Sequence, residues 1–271
     1  MTELFEALAL MNITNPILFY VLALSAALTT AASKAGFGGA VAIGIPILLL
    51  VTTPRIALGI TLPILLLIDV WIVFFSKNKI DLLLLLVMSV FGLFGHAVGW
   101  YFFDYISNDA LIFFISGMSI LTAFLFFKRQ LRPERLSSNK KETDEKHNLT
   151  RLWLRGGVWC TLSGVASFVS VSGGIPLQIF LLAFRLKRPV YLGSAGAFFF
   201  LLNLSKVPLY WDLDILSKET FLISITLLPA IPFGVLLGRL IGGLLTDQQF
   251  YIFMHVILGL VGFQLLYGVL A

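Results

Sequence analysis

Charged residues are scarce in this chain. They make up 12% of its 271 residues, against about 25% in an ordinary soluble domain. Cysteine is scarcer: Cys160 stands alone, which excludes an internal disulfide framework and any cysteine cluster for a metal. There is no HExxH and no GxGD segment, the usual marks of intramembrane proteolysis, and Gly193-Ser-Ala-Gly196 has the wrong order for a GxSG nucleophile. The chain begins with Glu3 and Glu6 and has no basic residue before its first apolar run. The positive stretch of a cleavable signal peptide is missing, so the first run is expected to be a retained helix.

What the chain has in excess is apolar surface. Hydrophobic residues are 59% of the total, and they come in runs near or above the ~18 residues that mark a membrane span. The fold class that follows is all-α, a polytopic helical membrane protein. Spans are expected at 16–32, 37–53, 55–76, 80–102, 110–127, 153–171, 174–184, 189–211, 219–241 and 250–270. That is about ten membrane segments, five on each side of a hydrophilic stretch. The domains are a first membrane repeat over 1–127, a basic linker over 128–152 and a second membrane repeat over 153–271. The linker mixes charge signs and has few large apolar residues, a composition that does not build a core.

The net charge of +5 does not point to nucleic acid, because its distribution accounts for it. With the N-terminus outside and every segment crossing, sixteen of the 19 basic residues fall on the inner side, nine of them between Lys128 and Arg155. Arg55 and Lys218 fall outside, and Lys206 lies within a span. The positive-inside rule therefore puts both termini outside and the linker in the cytoplasm. The same bias holds if segments 1–2 and 6–7 are re-entrant hairpins, so both arrangements stay open. An odd number of segments per half inserts the second half upside down. That is a 5+5 inverted-topology repeat with glycine-broken helix pairs, an architecture common among secondary transporters.

The breaks carry the strongest internal signal. Ser33-Lys-Ala-Gly-Phe-Gly-Gly-Ala40 interrupts the first apolar region, and Ser170-Val-Ser-Gly-Gly174 echoes it. A shift of 135 positions lays Gly38 and Gly39 on Gly173 and Gly174, and Pro54 on Pro189. Unwound backbone inside a bilayer survives only where protein or water satisfies it. A helix starting after each break would present free amides and the positive end of its dipole, a natural seat for a small anion. The candidate substrate-binding residues are Lys34, Gly36, Phe37, Gly38, Gly39, Ser170, Ser172, Gly173, Gly174 and Asn203. The plainer reading of the glycines is close helix packing, and of Lys34 a snorkelling side chain.

Two further residues are candidates for carrying a coupling proton. Asp69 lies two-thirds of the way along the third span, where an unpaired carboxylate costs about 2.5–3.5 kcal/mol. Its candidate partners are Lys34 and Lys77. The matching region of the second half holds Asn203 and, one turn on, Lys206, so a polar cavity is expected. His96 shares a helix face with Gly92, Gly95 and Gly99. It is either a packing residue or a proton carrier, and packing is favoured. His255, near Gly259 and Gly262, reads as packing. Pro229 and Pro232 predict a kink in the ninth segment, with Gly234, Gly238 and Gly242 on a packing face.

At the two breaks the chain resembles the TauE/SafE family of membrane permeases, the sulfite exporter family. The resemblance rests on Gly36-Phe-Gly-Gly-Ala40 followed by Pro54-Arg-Ile-Ala-Leu-Gly-Ile-Thr61, and on Ser170-Val-Ser-Gly-Gly174 followed by Pro189-Val-Tyr-Leu-Gly-Ser194. Ala40 replaces a glycine of the family pattern, and Ser170 and Ser172 stand where glycines are usual. The resemblance implies export of a small anion, sulfite or another organosulfur or sulfonate anion, coupled to protons. It implies a multi-pass protein of the bacterial cytoplasmic (inner) membrane. No cofactor and no metal are expected, the partners are the anion, protons and the lipid bilayer, and a homodimer is allowed. Two readings from other classes stand beside this one. A serine-type intramembrane hydrolase would use a pair such as Ser172 and His255. A non-transporting scaffold would have no use for Asp69, Asn203 and Lys206.

Overall fold

The computed structural model describes residues 2–11, 13, 15–37, 43–76, 80–131, 149–182, 184, 186, 188–244 and 247–270. Its helices in chain order are α1 (Thr2–Leu10), α2 (Pro16–Phe37), α3 (Gly44–Leu48), α4 (Pro54–Ser76), α5 (Leu82–Phe103) and α6 (Asn108–Leu131), then α7 (Leu149–Ser170), α8 (Gly174–Leu182), α9 (Arg188–Asp212), α10 (Lys218–Leu227), α11 (Ala230–Leu244) and α12 (Asp247–Leu270). Among the described residues the secondary structure is helical, with no strand. Among the described residues, four helices are long and apolar enough to cross a membrane: Pro16–Lys34, Pro54–Phe74, Leu82–Phe103 and Asn108–Lys128. The pair α10 and α11 meets the same standard as one span bent by 51°.

Polar residues start the helices where the sequence changes character. Asn15 accepts from the Leu18 amide at 3.1 Å ahead of Pro16, and Asp81 accepts from Leu84 at 3.2 Å ahead of the leucine run of α5. Ser217 and Thr220 form a reciprocal capping box at α10. Each satisfies amides that the helix itself leaves unpaired. Pro54 takes the first position of α4, where its missing N–H costs nothing.

The expected segments match the helices closely except in three places. The segment over 37–53 holds one five-residue helix, α3, roughly 8 Å long, and residues 38–42 lie outside the described residues. Its counterpart α8 has nine residues, roughly 14 Å, under half of the ~30 Å hydrocarbon thickness. The ninth segment is two helices, parted at Leu228 and Pro229, so the proline pair does bend the chain. The N-terminal helix α1, which packs on α10, is too polar and short to register as an apolar run. The linker expected over 128–152 is described only at its ends: α6 runs on to Leu131 and α7 begins at Leu149.

Small residues hold the helices together, and large ones face outward. Gly95 lies against the Thr161 carbonyl and Gly164, and Gly164 against the Gly92 carbonyl, so α5 and α7 cross backbone to backbone. Gly99 rests on Phe168. On the other side, Gly234 and Gly238 of α11 meet Leu28, Ala31 and Ala32 of α2. These are the packing faces read from the sequence, and van der Waals contact at short range is what binds helices where no hydrophobic drive exists. Phe94, Phe124, Leu154, Phe233 and Leu260 are each at least 60% exposed, an exterior suited to lipid rather than water.

The other principal packings are α4 on α9, α9 on α5, α10 on α4, α6 on α12, α3 on α2 and α8 on α7. Asp69 of α4 and Asn203 of α9 therefore face each other by way of a helix contact, with Lys34 of α2 closing in beside them.

Candidate functional site

Four polar side chains from three helices form one chain of hydrogen bonds. Lys34 Nζ lies 2.5 Å from Asp69 Oδ1. Asn203 Nδ2 donates to Asp69 Oδ2 at 2.6 Å. Lys206 Nζ donates to Asn203 Oδ1 at 3.1 Å. Asp69 and Lys206 are 0% exposed, Asn203 is 2% exposed, and the Lys34 side chain is 13% exposed. The carboxylate thus has both oxygens engaged, one by a cation and one by an amide. That is the condition for holding a charge away from water.

The sequence pattern places each member. Asp69 sits in the last third of α4. Asn203 and Lys206 are three apart on α9 and so share a face. Gly196, seven residues before Asn203 on α9, would press an added Cβ onto Ile72 of α4 at 2.5 Å, so this glycine lets the two helices approach. Aromatic rings line the cations: Lys34 Nζ is 5.7 Å from the centre of Phe199, and Lys206 Nζ is 5.9 Å from that of Tyr210.

His96 adjoins this network without joining its hydrogen bonds. Its Nδ1 is 2.8 Å from Ser205 Oγ, its ring meets Phe168 edge-on at 5.4 Å, and it is 1% exposed. Its Nε2 is buried with no hydrogen-bond partner among the described residues. Tyr210 donates its hydroxyl to the Phe168 carbonyl at 2.5 Å, tying α9 to the end of α7. Ser205 and Tyr210 went unnoticed in the sequence. The signal that marks Tyr210 is its place four residues after Lys206, on the same helical face.

The second break is well defined. α7 ends at Ser170, and Val171 takes a left-handed backbone with φ of 58°. For a β-branched residue this is an outlier, and such strain collects at functional positions. The Val171 amide reaches the Ser167 carbonyl at 3.0 Å and the Ser172 amide that of Ala166 at 3.2 Å. Ser163 Oγ donates to the Gly173 carbonyl at 2.6 Å, fixing the start of α8 against α7. The Ser170 hydroxyl donates to Ala166 at 2.9 Å and that of Ser172 to Ser170 at 3.2 Å, so both spend their proton on nearby backbone. In the first break, Gly36 and Phe37 close α2, while Gly38 and Gly39 lie outside the described residues.

The structure therefore joins Lys34, Asp69, Asn203 and Lys206, all four noted in the sequence, in one network. Ser170, Ser172, Gly173 and Gly174 form a separate turn at the end of α7, with His96 between the two through Phe168 and Ser205. Lys77, the other partner considered for Asp69, lies outside the described residues. His255 stacks on Phe126 with ring centres 3.9 Å apart, the packing role expected of it. Among the described residues no group of three or more His, Cys, Asp or Glu could hold a metal ion.

Against known protein families, residues 19–265 match the model described as sulfite exporter TauE/SafE. No curated protein and no solved structure matches the chain.

Proposed function

Because the chain belongs to the TauE/SafE sulfite exporter family, a family of membrane transporters of small anions, we propose that it carries sulfite or a related organosulfur or sulfonate anion outward. The carrier works by alternating access and couples to protons. The observation that carries this reading is the buried network of Lys34, Asp69, Asn203 and Lys206. Such groups are expensive inside a bilayer and are retained along substrate and ion pathways.

The chemistry follows from the pairing. While Asp69 is ionised it neutralises Lys34. When Asp69 takes a proton its carboxyl group becomes neutral, and the Lys34 ammonium is left for an anion. Proton uptake and anion capture are then linked at one salt bridge. His96 is the lesser candidate for the proton, because a ring nitrogen of it is held by Ser205. The turn at Ser170–Gly174 supplies backbone amides at the mouth of α8, the positive end of a short helix.

The architecture of this carrier is two inverted repeats of five segments, 1–127 and 153–271, in the bacterial inner membrane with both termini outside. What supports the repeat is the way the helix packings exchange. α2 packs on α11 as α7 packs on α5. α3 packs on α2 as α8 on α7, and α5 lies on α9 as α10 lies on α4. α4 with α9 and α6 with α12 are pairs between matching members. Short α3 and α8 are the broken elements of each repeat, the kind of element that holds substrate near the midplane in inverted-repeat carriers.

The test is flux of radiolabelled sulfite in proteoliposomes of the purified protein, with and without an imposed pH gradient. Sulfate, thiosulfate and sulfonates serve as competitors. Gradient-driven sulfite flux that Asp69→Asn abolishes is the expected result. Flux that ignores the gradient in both proteins overturns proton coupling, and no flux of any of these anions overturns the substrate class.

A further inference from the structure

We propose that Lys206 is the standing anion-binding residue of the network, and that it takes a singly charged oxyanion before Lys34 is released to assist. The choice of a sulfur oxyanion as probe rests on the carrier reading above; the site itself rests on charge and hydrogen bonding.

Both oxygens of Asp69 are committed, Oδ1 to Lys34 and Oδ2 to Asn203. Lys206 does not reach that carboxylate. Its hydrogen bond goes to the neutral carbonyl oxygen of Asn203, at 3.1 Å. Among the described residues no carboxylate lies within ion-pair distance of Lys206, and the nearest in the network, Asp69, is paired with Lys34. The residue is 0% exposed. Snorkelling, the usual escape for a lysine in a membrane helix, is therefore not in use. An ammonium has three donors. One is on Asn203, and the ring of Tyr210 lies 5.9 Å away, leaving donor capacity that a small oxyanion is shaped to accept. Buried charges are paired or they are costly, and an anion is the partner that would offset the charge of a protonated Lys206.

The count of charges sets the class of ligand. With both lysines protonated, two ammonium groups face one carboxylate, an excess of one positive charge. A singly charged oxyanion such as hydrogensulfite on Lys206 makes the site neutral. A doubly charged one, such as sulfite or sulfate, makes it neutral only if Asp69 also binds a proton, which turns Lys34 into the second cation. Asn203 bridges the two conditions, since one end of its amide touches Asp69 and the other Lys206. The one bond formed is O–H on Asp69, and its proton is delivered by hydronium from the aqueous side, which is left as water.

The experiment measures thermal stabilisation of the detergent-purified protein by sulfite at mildly acidic pH, where hydrogensulfite dominates, with sodium chloride as the control salt. The parent is compared with Lys206→Met, Lys206→Gln and the paired variant Lys34→Met with Asp69→Leu. The glutamine keeps a donor for Asn203 without the charge, so it reports on binding if the methionine variant fails to fold. The paired variant removes the salt bridge without changing net charge and leaves Lys206 in place. We expect both Lys206 variants to need at least ten-fold more sulfite for the same shift, and the paired variant, which loses only the assisting cation, to lose less than either. A Lys206→Gln protein that keeps the parent's response overturns the assignment, as does a parent that responds to no oxyanion beyond the chloride control. Sulfite flux is scored separately. Flux that does not need Lys206 overturns this site and leaves the carrier standing, whereas Lys206-dependent binding without flux supports the site and overturns the carrier.

Discussion

Lys34 and Asp69, 35 positions apart in the chain, form a 2.5 Å ion pair between α2 and α4 with the carboxylate wholly buried. The pair is costly to half-remove. Replacing either partner alone with an apolar residue leaves a buried charge and should cost about 3–5 kcal/mol. Replacing both, as Lys34→Met with Asp69→Leu, should recover most of that. Unfolding of the four proteins in detergent, treated as a double-mutant cycle, checks it. Additive losses would show that the two charges are independently solvated.

The crossing of α5 and α7 makes a second prediction. An added Cβ at Gly164 would meet the Gly92 carbonyl, which is backbone and has nowhere to go. Gly164→Ala should therefore cost about 1–3 kcal/mol, the range for overpacking. Gly117 has nothing within 4 Å of the same added atom, so Gly117→Ala should be neutral or slightly stabilising. Thermal unfolding of the pair separates seam packing from a general aversion to alanine.

Tyr210 is 1% exposed, and its hydroxyl holds the Phe168 carbonyl at 2.5 Å. Tyr210→Phe keeps the ring and deletes one hydrogen bond, leaving a carbonyl unsatisfied. A loss of about 1–3 kcal/mol is expected. Because that bond fixes the turn before α8, the sulfite KM should rise more than kcat falls. Paired stability and flux measurements distinguish this from simple unfolding.

Val171 should behave unlike most apolar residues. Its φ of 58° costs about 1–2 kcal/mol in a non-glycine residue, against roughly 0.5–1 kcal/mol of unfolded-chain entropy that a glycine adds. Val171→Gly is expected to be neutral or more stable by up to about 1 kcal/mol. A clear loss of stability in the same unfolding assay would mean that side-chain packing at this turn outweighs the strain.

Sidedness can be tested with the single native thiol removed as Cys160→Ser. A cysteine at Tyr105, which is 80% exposed between α5 and α6, should react with a membrane-impermeant maleimide added to intact cells. A cysteine at Ser137 in the linker should react only after lysis. The reverse pattern would overturn the orientation drawn from the basic residues.

The sequence made the spans legible because apolar run length is a strong signal and the prolines and cap residues at Pro16, Pro54 and Asp81 mark their starts. The glycine seams were legible for a similar reason: Gly92, Gly95 and Gly99 recur on one face, as do Gly234 and Gly238. The ion pair was half legible. A lone Asp69 in a span demands a partner, but hydropathy cannot say which lysine reaches it, since that depends on how α2 lies across α4. Lys206 was visible as a charge in a span and invisible as a counter-charge out of reach of Asp69. The brevity of α3 was hidden, because an apolar run reads the same whether it is helix or turn. Helix α1 was hidden because nine residues with two glutamates resemble a tail.

The glycine seams also have a mechanical side. α2 is joined to α11 at Gly234 and Gly238, and α7 to α5 at Gly92, Gly95 and Gly164, each with backbone touching backbone. Joints that tight have little freedom to slide, so each couple travels as one piece. Both couples take one helix from before the linker and one from after it. If the carrier rocks as proposed, the boundary between its moving parts would cut across the order of the chain. Each couple is assembled from both sides of the linker, but at different times: α5 and α7 are both made by residue 170, whereas α2 must wait for α11, which ends at Leu244.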